Sequence, residues 1–125
     1  MTDRKSIIAV AERYLFQGLV EHDGQRVPLA ETVVRMEQGH NTGEGREGLV
    51  EALTHPVMNV IAGIRNVRWI VEGDQAVAFY DLDVTNSDRP VLIAERFRVV
   101  DGLITEIEAI FHPQAGTASE SGPWD

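Results

Sequence analysis

Apolar residues at helical spacing characterise the first part of the chain. Six of them recur three and four positions apart, namely Ile7, Val10, Ala11, Tyr14, Leu15 and Leu19. This spacing predicts an amphipathic helix from about Asp3 to Glu21, with Asp3 as N-cap and Asp23-Gly24 after its end. A shorter apolar stripe predicts a second helix over 46–54, which Pro56 ends.

Alternating apolar and polar residues replace the helical spacing in most of the remaining chain. A short strand is predicted from Thr32 to Gln38, followed by a flexible, glycine-rich loop over 39–45. Four longer strands are predicted at 64–72, 76–85, 91–100 and 103–112. Their connections are short, and Asp101-Gly102 is a strong hairpin signal, which favours an antiparallel meander. The fold class is therefore α+β, with N-terminal helices packed on a curved antiparallel sheet.

Length and composition are consistent with a single domain. The chain has 125 residues, of which 43% are hydrophobic and 25% are charged. We expect the domain to span residues 1–113 and the Gly- and Ser-rich tail, 114–125, to be disordered. The sequence shows neither a secretory signal nor an apolar run long enough to span a membrane, so the expected location is the cytoplasm.

Charge and residue types exclude several functions. The formal net charge of −9 argues against nucleic acid and membrane surfaces as partners. The chain contains no cysteine, which rules out disulfides and thiolate chemistry. The four histidines are too scattered to show metal-ligand spacing. We therefore expect no metal site.

One carboxylic acid interrupts an apolar strand face. Alternation on the strand predicted at 91–100 places Glu95 on one face with Val91, Ile93, Phe97 and Val99. An ionised and unpaired carboxylate is costly to bury, so Glu95 must be paired, protonated or open to a pocket. In a pocket, a carboxyl with a raised pKa could donate a proton. A structural Glu paired with an Arg, or an exposed face, is the alternative.

Four other side chains are candidates for the same pocket. Glu37 could be a general base at its mouth, with Arg35 orienting that base or the substrate, although a simple ion pair is also possible. Tyr14 lies on the apolar stripe of the first helix and could donate a hydrogen bond to a ligand oxygen, or to a backbone carbonyl instead. His112, at the end of the last strand, is the histidine best placed for a pocket role, with a structural role as the alternative.

Three local segments resemble a known superfamily. Ala11-Glu12-Arg13-Tyr14-Leu15 and Ala94-Glu95-Arg96-Phe97-Arg98 are similar to the first-helix and strand segments of ketosteroid isomerase. Gly45-Arg46-Glu47-Gly48-Leu49 resembles the helix start after the first strand. Together with the order of elements over residues 6–112, these segments resemble the nuclear transport factor 2-like superfamily, and within it the ketosteroid isomerases and SnoaL-like polyketide cyclases.

The resemblance implies a fold and a set of site residues. It implies a cone-shaped α+β barrel with a hydrophobic pocket, in which Tyr14 and a protonated Glu95 would form the oxyanion hole. The general base of the family lies on the first short strand. Counting back from Gly45, its position corresponds to Met36 without a gap and to Glu37 with a one-residue gap. Because neighbours in a strand face opposite sides, this register decides whether a base exists. Ligand contacts are expected from four residues, namely Arg35, Met36, Phe97 and His112.

Two functions remain open at this point. The first is a cofactor-free acid/base enzyme, of ketosteroid isomerase-like or cyclase-like type, acting on a small apolar carbonyl compound. The second is a non-catalytic module of the same fold for ligand binding or dimerisation. An epoxide hydrolase is less expected because the Arg-x-Asp of that branch is missing, and a dehydratase would need a pocket histidine such as His112. The resemblance also implies a homodimer formed through the sheet, with Trp69 as a possible contributor.

Overall fold

The first helix begins at the predicted cap. In the computed structural model, which describes residues 3–114, the Asp3 carboxylate accepts a hydrogen bond of 2.8 Å from the backbone N–H of Ser6. Helix α1 runs over Arg4–Arg13 and continues as a π-helix over Tyr14–Val20. The helix predicted over 3–21 is confirmed, with the addition that its winding changes at Tyr14, one of the candidate site residues.

A curved six-stranded sheet forms the rest of the framework. Its strands are β1 Leu29–Glu37, β2 His40–Glu44, β3 Ile61–Glu72, β4 Gln75–Val84, β5 Val91–Val100 and β6 Leu103–Pro113. Their order in the sheet is β2-β1-β6-β5-β4-β3. Helix α2, Arg46–Thr54, follows β2 and leads into a short 3₁₀ helix, Pro56–Val60. Together, the helices and the sheet give the predicted α+β fold.

The antiparallel meander is confirmed for β3 to β6. The hairpin between β5 and β6 turns at Asp101 and Gly102, both with positive φ, as a two-residue turn of this kind requires. Strand β1 departs from the prediction because it runs parallel to β6. After β2 the chain crosses from one edge of the sheet to the other, where β3 begins. Strands β1 and β6 therefore lie side by side and run in the same direction. The sheet is therefore mixed.

The prediction of a flexible loop over 39–45 is wrong. Residues 40–44 form β2, an edge strand antiparallel to β1, joined to it by Gln38 and Gly39 with φ values of 52° and 82°. Its single glycine and its polar residues lack the alternation that identifies a strand in a sequence. The pairing with β1, not the residues of β2 themselves, makes this segment a strand.

The inner face of the sheet carries the core. On β5, Glu95, Phe97 and Val99 are at most 2% exposed, while Arg98 and Val100 are exposed on the other side, as alternation predicts. No helix among residues 3–114 is long and apolar enough to span a membrane. Residues 115–125, to which the prediction of a disordered tail applies, lie outside the described part of the chain.

Candidate functional site

Five polar side chains come together within the apolar core. They are Tyr14 of the π-helix, Arg35 and Glu37 of β1, Tyr80 of β4, and Glu95 of β5. Four of these residues are buried, with exposed fractions of 0% for Tyr14, 1% for Tyr80, 2% for Glu95 and 5% for Arg35. The Glu37 side chain is 29% exposed and forms the edge of the cluster towards solvent.

The register of three strands explains how the two carboxyl groups meet. Ala109 of β6 pairs with Glu37 on one side and with Glu95 on the other. Both glutamates therefore project from the inner face with a single small side chain between them. Ala78 of β4, the next residue in this row, is also small and fully buried. Neither alanine places a bulky side chain beside the carboxyl groups.

Arg35 links β1 to the π-helix. Its Nη1 donates a hydrogen bond of 3.1 Å to Tyr14 Oη. Its Nε and Nη2 donate to Oγ1 and the backbone oxygen of Thr42 in β2, at 3.1 and 3.0 Å. Arg35 Nε also lies 3.7 Å from Glu37 Oε1. The guanidinium is thus satisfied within the chain and compensates the charge of Glu37.

Glu95 has a tyrosine partner that sequence reasoning missed. Tyr80 Oη donates a hydrogen bond of 2.5 Å to Glu95 Oε1, a length typical of a hydroxyl bonded to a carboxylate. On the other side of the cluster, the Tyr14 ring meets Phe97 edge-on, with centroids 5.4 Å apart. Both contacts restrict the rotamers of the side chains that could face a ligand.

Burial determines the protonation of the cluster. Desolvation, the largest cause, and the nearby charge of Glu37 together raise the pKa of Glu95 to about 7, against the hydrogen bond from Tyr80 and the charge of Arg35. Burial and the charge of Glu95 also raise the pKa of Tyr14 and that of Tyr80. Both tyrosines therefore remain neutral donors at pH 7, while Glu95 is poised to gain or lose a proton.

The apolar side chains around the cluster are partly open. Several half-buried apolar residues pack against the core on β3, β4 and β5, among them Ile61, Ile64, Val84, Val91 and Ile93. Of these residues, Ile93 lies on the same face of β5 as Glu95, two positions away. The groove of about 880 Å³ lies elsewhere, on the outer face of the sheet, where Phe79, Leu92 and Ile110 line it.

Two predicted ligand contacts lie on that outer face. Met36 pairs with Glu108, and the exposed His112 pairs with Leu92. Each is one residue away from an inward-facing position, so alternation turns its side chain to the opposite side. Met36 and His112 therefore lie on the face of the sheet opposite to Glu95, and their role as ligand contacts stays a prediction. Of the two register alternatives, the structure places Glu37 on the inner side.

Tyr80 and Thr42 are the site residues that the sequence did not reveal. Alternation does place Tyr80 on the core face of its strand, next to the strand of Glu95, and a buried Tyr needs a partner for its hydroxyl. The alternation could therefore have identified Tyr80 as a candidate site residue. Thr42 lies in the segment predicted as a loop, and nothing in its local sequence indicates a contact with Arg35. Among residues 3–114, no cluster of three or more His, Cys, Asp or Glu could hold a metal ion.

Solved structures share this fold. A candidate ketosteroid isomerase from Kribbella flavida DSM 17836 is 21% identical, with a TM-score of 0.72 over 97% of this chain and 87% of its own. A nuclear transport factor 2-like protein of unknown function from Burkholderia xenovorans LB400 is 17% identical, with a TM-score of 0.71 over 96% and 90%. An epoxide hydrolase from M. tuberculosis, described as LEH-like, is 20% identical, with a TM-score of 0.67 over 86% and 84%.

These similarities show the fold and leave the activity open, because each identity is low and one fold supports many functions. The chain has the nuclear transport factor 2-like fold. A search of the curated proteins found no match. A family model matches residues 1–111, and the chain belongs to that family, the domain of unknown function DUF8021.

Proposed function

We propose that the protein is a cofactor-free enzyme that transfers a proton within a small apolar carbonyl compound, in the manner of a ketosteroid isomerase or a polyketide cyclase. The observation that carries this proposal is the pair of carboxyl groups on either side of Ala109. Glu95 is buried, with a pKa near 7, and Glu37 is at the solvent edge. Two carboxyl groups in such different environments are suited to separate acid and base roles.

Each polar side chain has a role in the proposed reaction. Glu37 takes a proton from the carbon next to the carbonyl group and returns it to a different carbon. Tyr14 and protonated Glu95 donate hydrogen bonds to the oxygen, which becomes negative in the enolate. Such donors are most effective where water is excluded and their geometry is fixed. Tyr80 fixes Glu95, and Phe97 packs against Tyr14.

Binding of an enolate mimic tests the role of Glu95. We expect Glu95→Gln and Glu95→Ala to weaken the binding of para-nitrophenolate about tenfold, because a hydrogen bond to a charged oxygen is weakened or lost. The measurement is the absorbance shift of the probe near neutral pH. Glu108→Gln, on the outer face, is the matched control and should bind like the wild type. Unchanged affinity in both Glu95 variants would contradict the oxyanion role.

One observation favours the second function, a binding module without catalysis. Tyr14, Arg35, Tyr80 and Glu95 are each at most 5% exposed and already have hydrogen-bond partners in the chain. A satisfied polar network of this kind can serve to specify a unique core. A protein that binds para-nitrophenolate but does not accelerate proton transfer would have this function.

We also propose that a second copy of the chain covers the outer face of the sheet. Four large apolar side chains are exposed there, namely Ile70 at 63%, Phe79 at 40%, Leu92 at 42% and Ile110 at 58%. Phe79, Leu92 and Ile110 line one groove, and exposed apolar surface of this kind is typical of an interface. The resemblance to the superfamily, whose members often dimerise through the sheet, favours a homodimer over another occupant.

Mass measurement in solution tests the homodimer. Ile110→Glu should convert a dimer to a monomer in light-scattering chromatography, because the interface would then bury an unpaired charge. Val57→Glu introduces the same charge at a residue that is 66% exposed but lies in the 3₁₀ helix, so it should leave the dimer intact. A wild-type protein that is monomeric at high concentration would contradict the proposal.

A further inference from the structure

We propose that Arg35 is a positioning residue that acts on a ligand through Tyr14, and that strand β2 holds Arg35 in place for this purpose. The inference rests on the proposed function, in which Tyr14 donates a hydrogen bond to a ligand oxygen. It adds a second layer to the site, formed by Thr42 of β2, which accepts two hydrogen bonds from Arg35.

The hydrogen bonds of Arg35 specify this arrangement. Nε and Nη2 both bind Thr42, through its hydroxyl and its backbone oxygen. The guanidinium is planar, so fixing these two nitrogens also fixes the direction of the third, which donates to Tyr14 Oη. Each nitrogen already has a partner, and Arg35 is 5% exposed. The hydrogen bond from Nη1 to Tyr14 Oη is the contact through which Arg35 acts on a ligand bound at Tyr14.

A glycine allows β2 to lie this close to Arg35. A Cβ atom at Gly43 would lie 3.0 Å from Leu49 Cδ1, 3.5 Å from Arg35 Cβ and 3.7 Å from Arg35 Nε. A larger residue would have to displace Leu49 of α2 before β2 could keep its present position. The lack of a side chain at position 43 thus fits the use of Thr42 as the holder of the guanidinium.

The effect on Tyr14 follows from electrostatics. A hydroxyl that accepts a hydrogen bond from a cation becomes polarised and donates its own proton more strongly. The charge of Arg35 opposes the effect of burial and of Glu95 on the pKa of Tyr14. Glu37, at 3.7 Å, balances the charge of Arg35, so the pair adds no net charge to the site. The gain should be largest for ligand oxygens that carry negative charge.

Two probes separate this role from a purely structural one. Para-nitrophenolate has the oxyanion, and nitrobenzene has nearly the same shape without it. Arg35→Met should weaken para-nitrophenolate binding about tenfold, and Thr42→Val about threefold, with no change for nitrobenzene. Arg35→Lys should restore part of the loss and Thr42→Ser all of it. Thr105→Val, which removes an exposed hydroxyl bonded to the Arg98 backbone oxygen, is the control.

A second measurement needs no ligand. The chain has two tyrosines, so the NMR resonances of their ζ-carbons can be assigned with Tyr80→Phe. Thr42→Val should shift the Tyr14 resonance in the same direction as Arg35→Met and by a smaller amount, with Tyr80 unchanged. A Tyr14 resonance that does not respond to either variant would overturn the proposal, as would equal loss of affinity for both probes. If the wild type binds neither probe, the proposed function fails, and the Tyr14 resonance alone decides the role of Arg35.

Discussion

Replacing Glu37 with glutamine is expected to slow the isomerisation of a β,γ-unsaturated cyclohexenone by about a hundredfold or more. The substitution keeps the size of the side chain and its place beside Arg35, but an amide cannot take up the proton that leaves the substrate carbon. The measurement is the growth of the ultraviolet absorbance of the conjugated product. A loss in kcat with little change in KM is expected, because the base acts in the transition state.

Glu108→Gln is the control for this loss. It makes the same chemical change on the outer face, where Glu108 pairs with Arg96 at 3.1 Å, and should keep the wild-type rate. Retention of the full rate by Glu37→Gln would show that Glu37 is not the base. Equal losses in the two variants would point to an effect of overall charge and not of position.

The free energy of unfolding is expected to fall by about 3 kcal/mol as the pH rises from 4.5 to about 7. Below pH 4.5, Glu95 is protonated in both states. Between the two values the unfolded chain releases the proton while the folded protein retains it, which favours unfolding. Above about pH 7 both states are ionised and the loss levels off. The pKa values of Asp3 and Glu106 are lowered in the folded protein, so these two groups change the free energy of unfolding at pH values below this window.

Glu95→Gln should remove most of this pH dependence. Glutamine does not titrate, and its amide oxygen can still accept the hydrogen bond from Tyr80. The groups that face Glu95 are Tyr14, Arg35, Glu37 and Tyr80, and the raised pKa values of the two tyrosines keep them neutral throughout the window. Denaturant unfolding at several pH values gives the slope. Equal slopes in wild type and Glu95→Gln would contradict a raised pKa at Glu95.

Periodicity predicted most of the fold because burial determines it locally. The N-cap at Asp3, helix α2 and the limits of β5 follow from single residues and from spacing. The same alternation identified Glu95 as a carboxyl group on a core face. Strand β2 could not be predicted, since its residues have no pattern of their own and are ordered by the pairing with β1.

Contacts within the site were less predictable because they join distant segments. Arg35 and Tyr14 are 21 positions apart, and Tyr80 and Glu95 are 15 apart. The sequence gives the face of each strand but not the register between strands, which sets these distances. The parallel pairing of β1 with β6 has the same origin, and it alone places Glu37 beside Ala109. The sequence alone therefore does not decide whether Met36 or Glu37 faces inward, because this depends on the pairing of β1 with β6.

The central claim is that Glu37, Tyr14 and Glu95 form one proton-transfer site. The most direct test is the rate at which the wild-type protein converts the β,γ-unsaturated cyclohexenone to its conjugated isomer. A saturable rate above that of buffer at the same pH, lost in Glu37→Gln, is the predicted result. A rate equal to that of buffer, from folded protein that still binds para-nitrophenolate, would contradict the claim and leave a binding module.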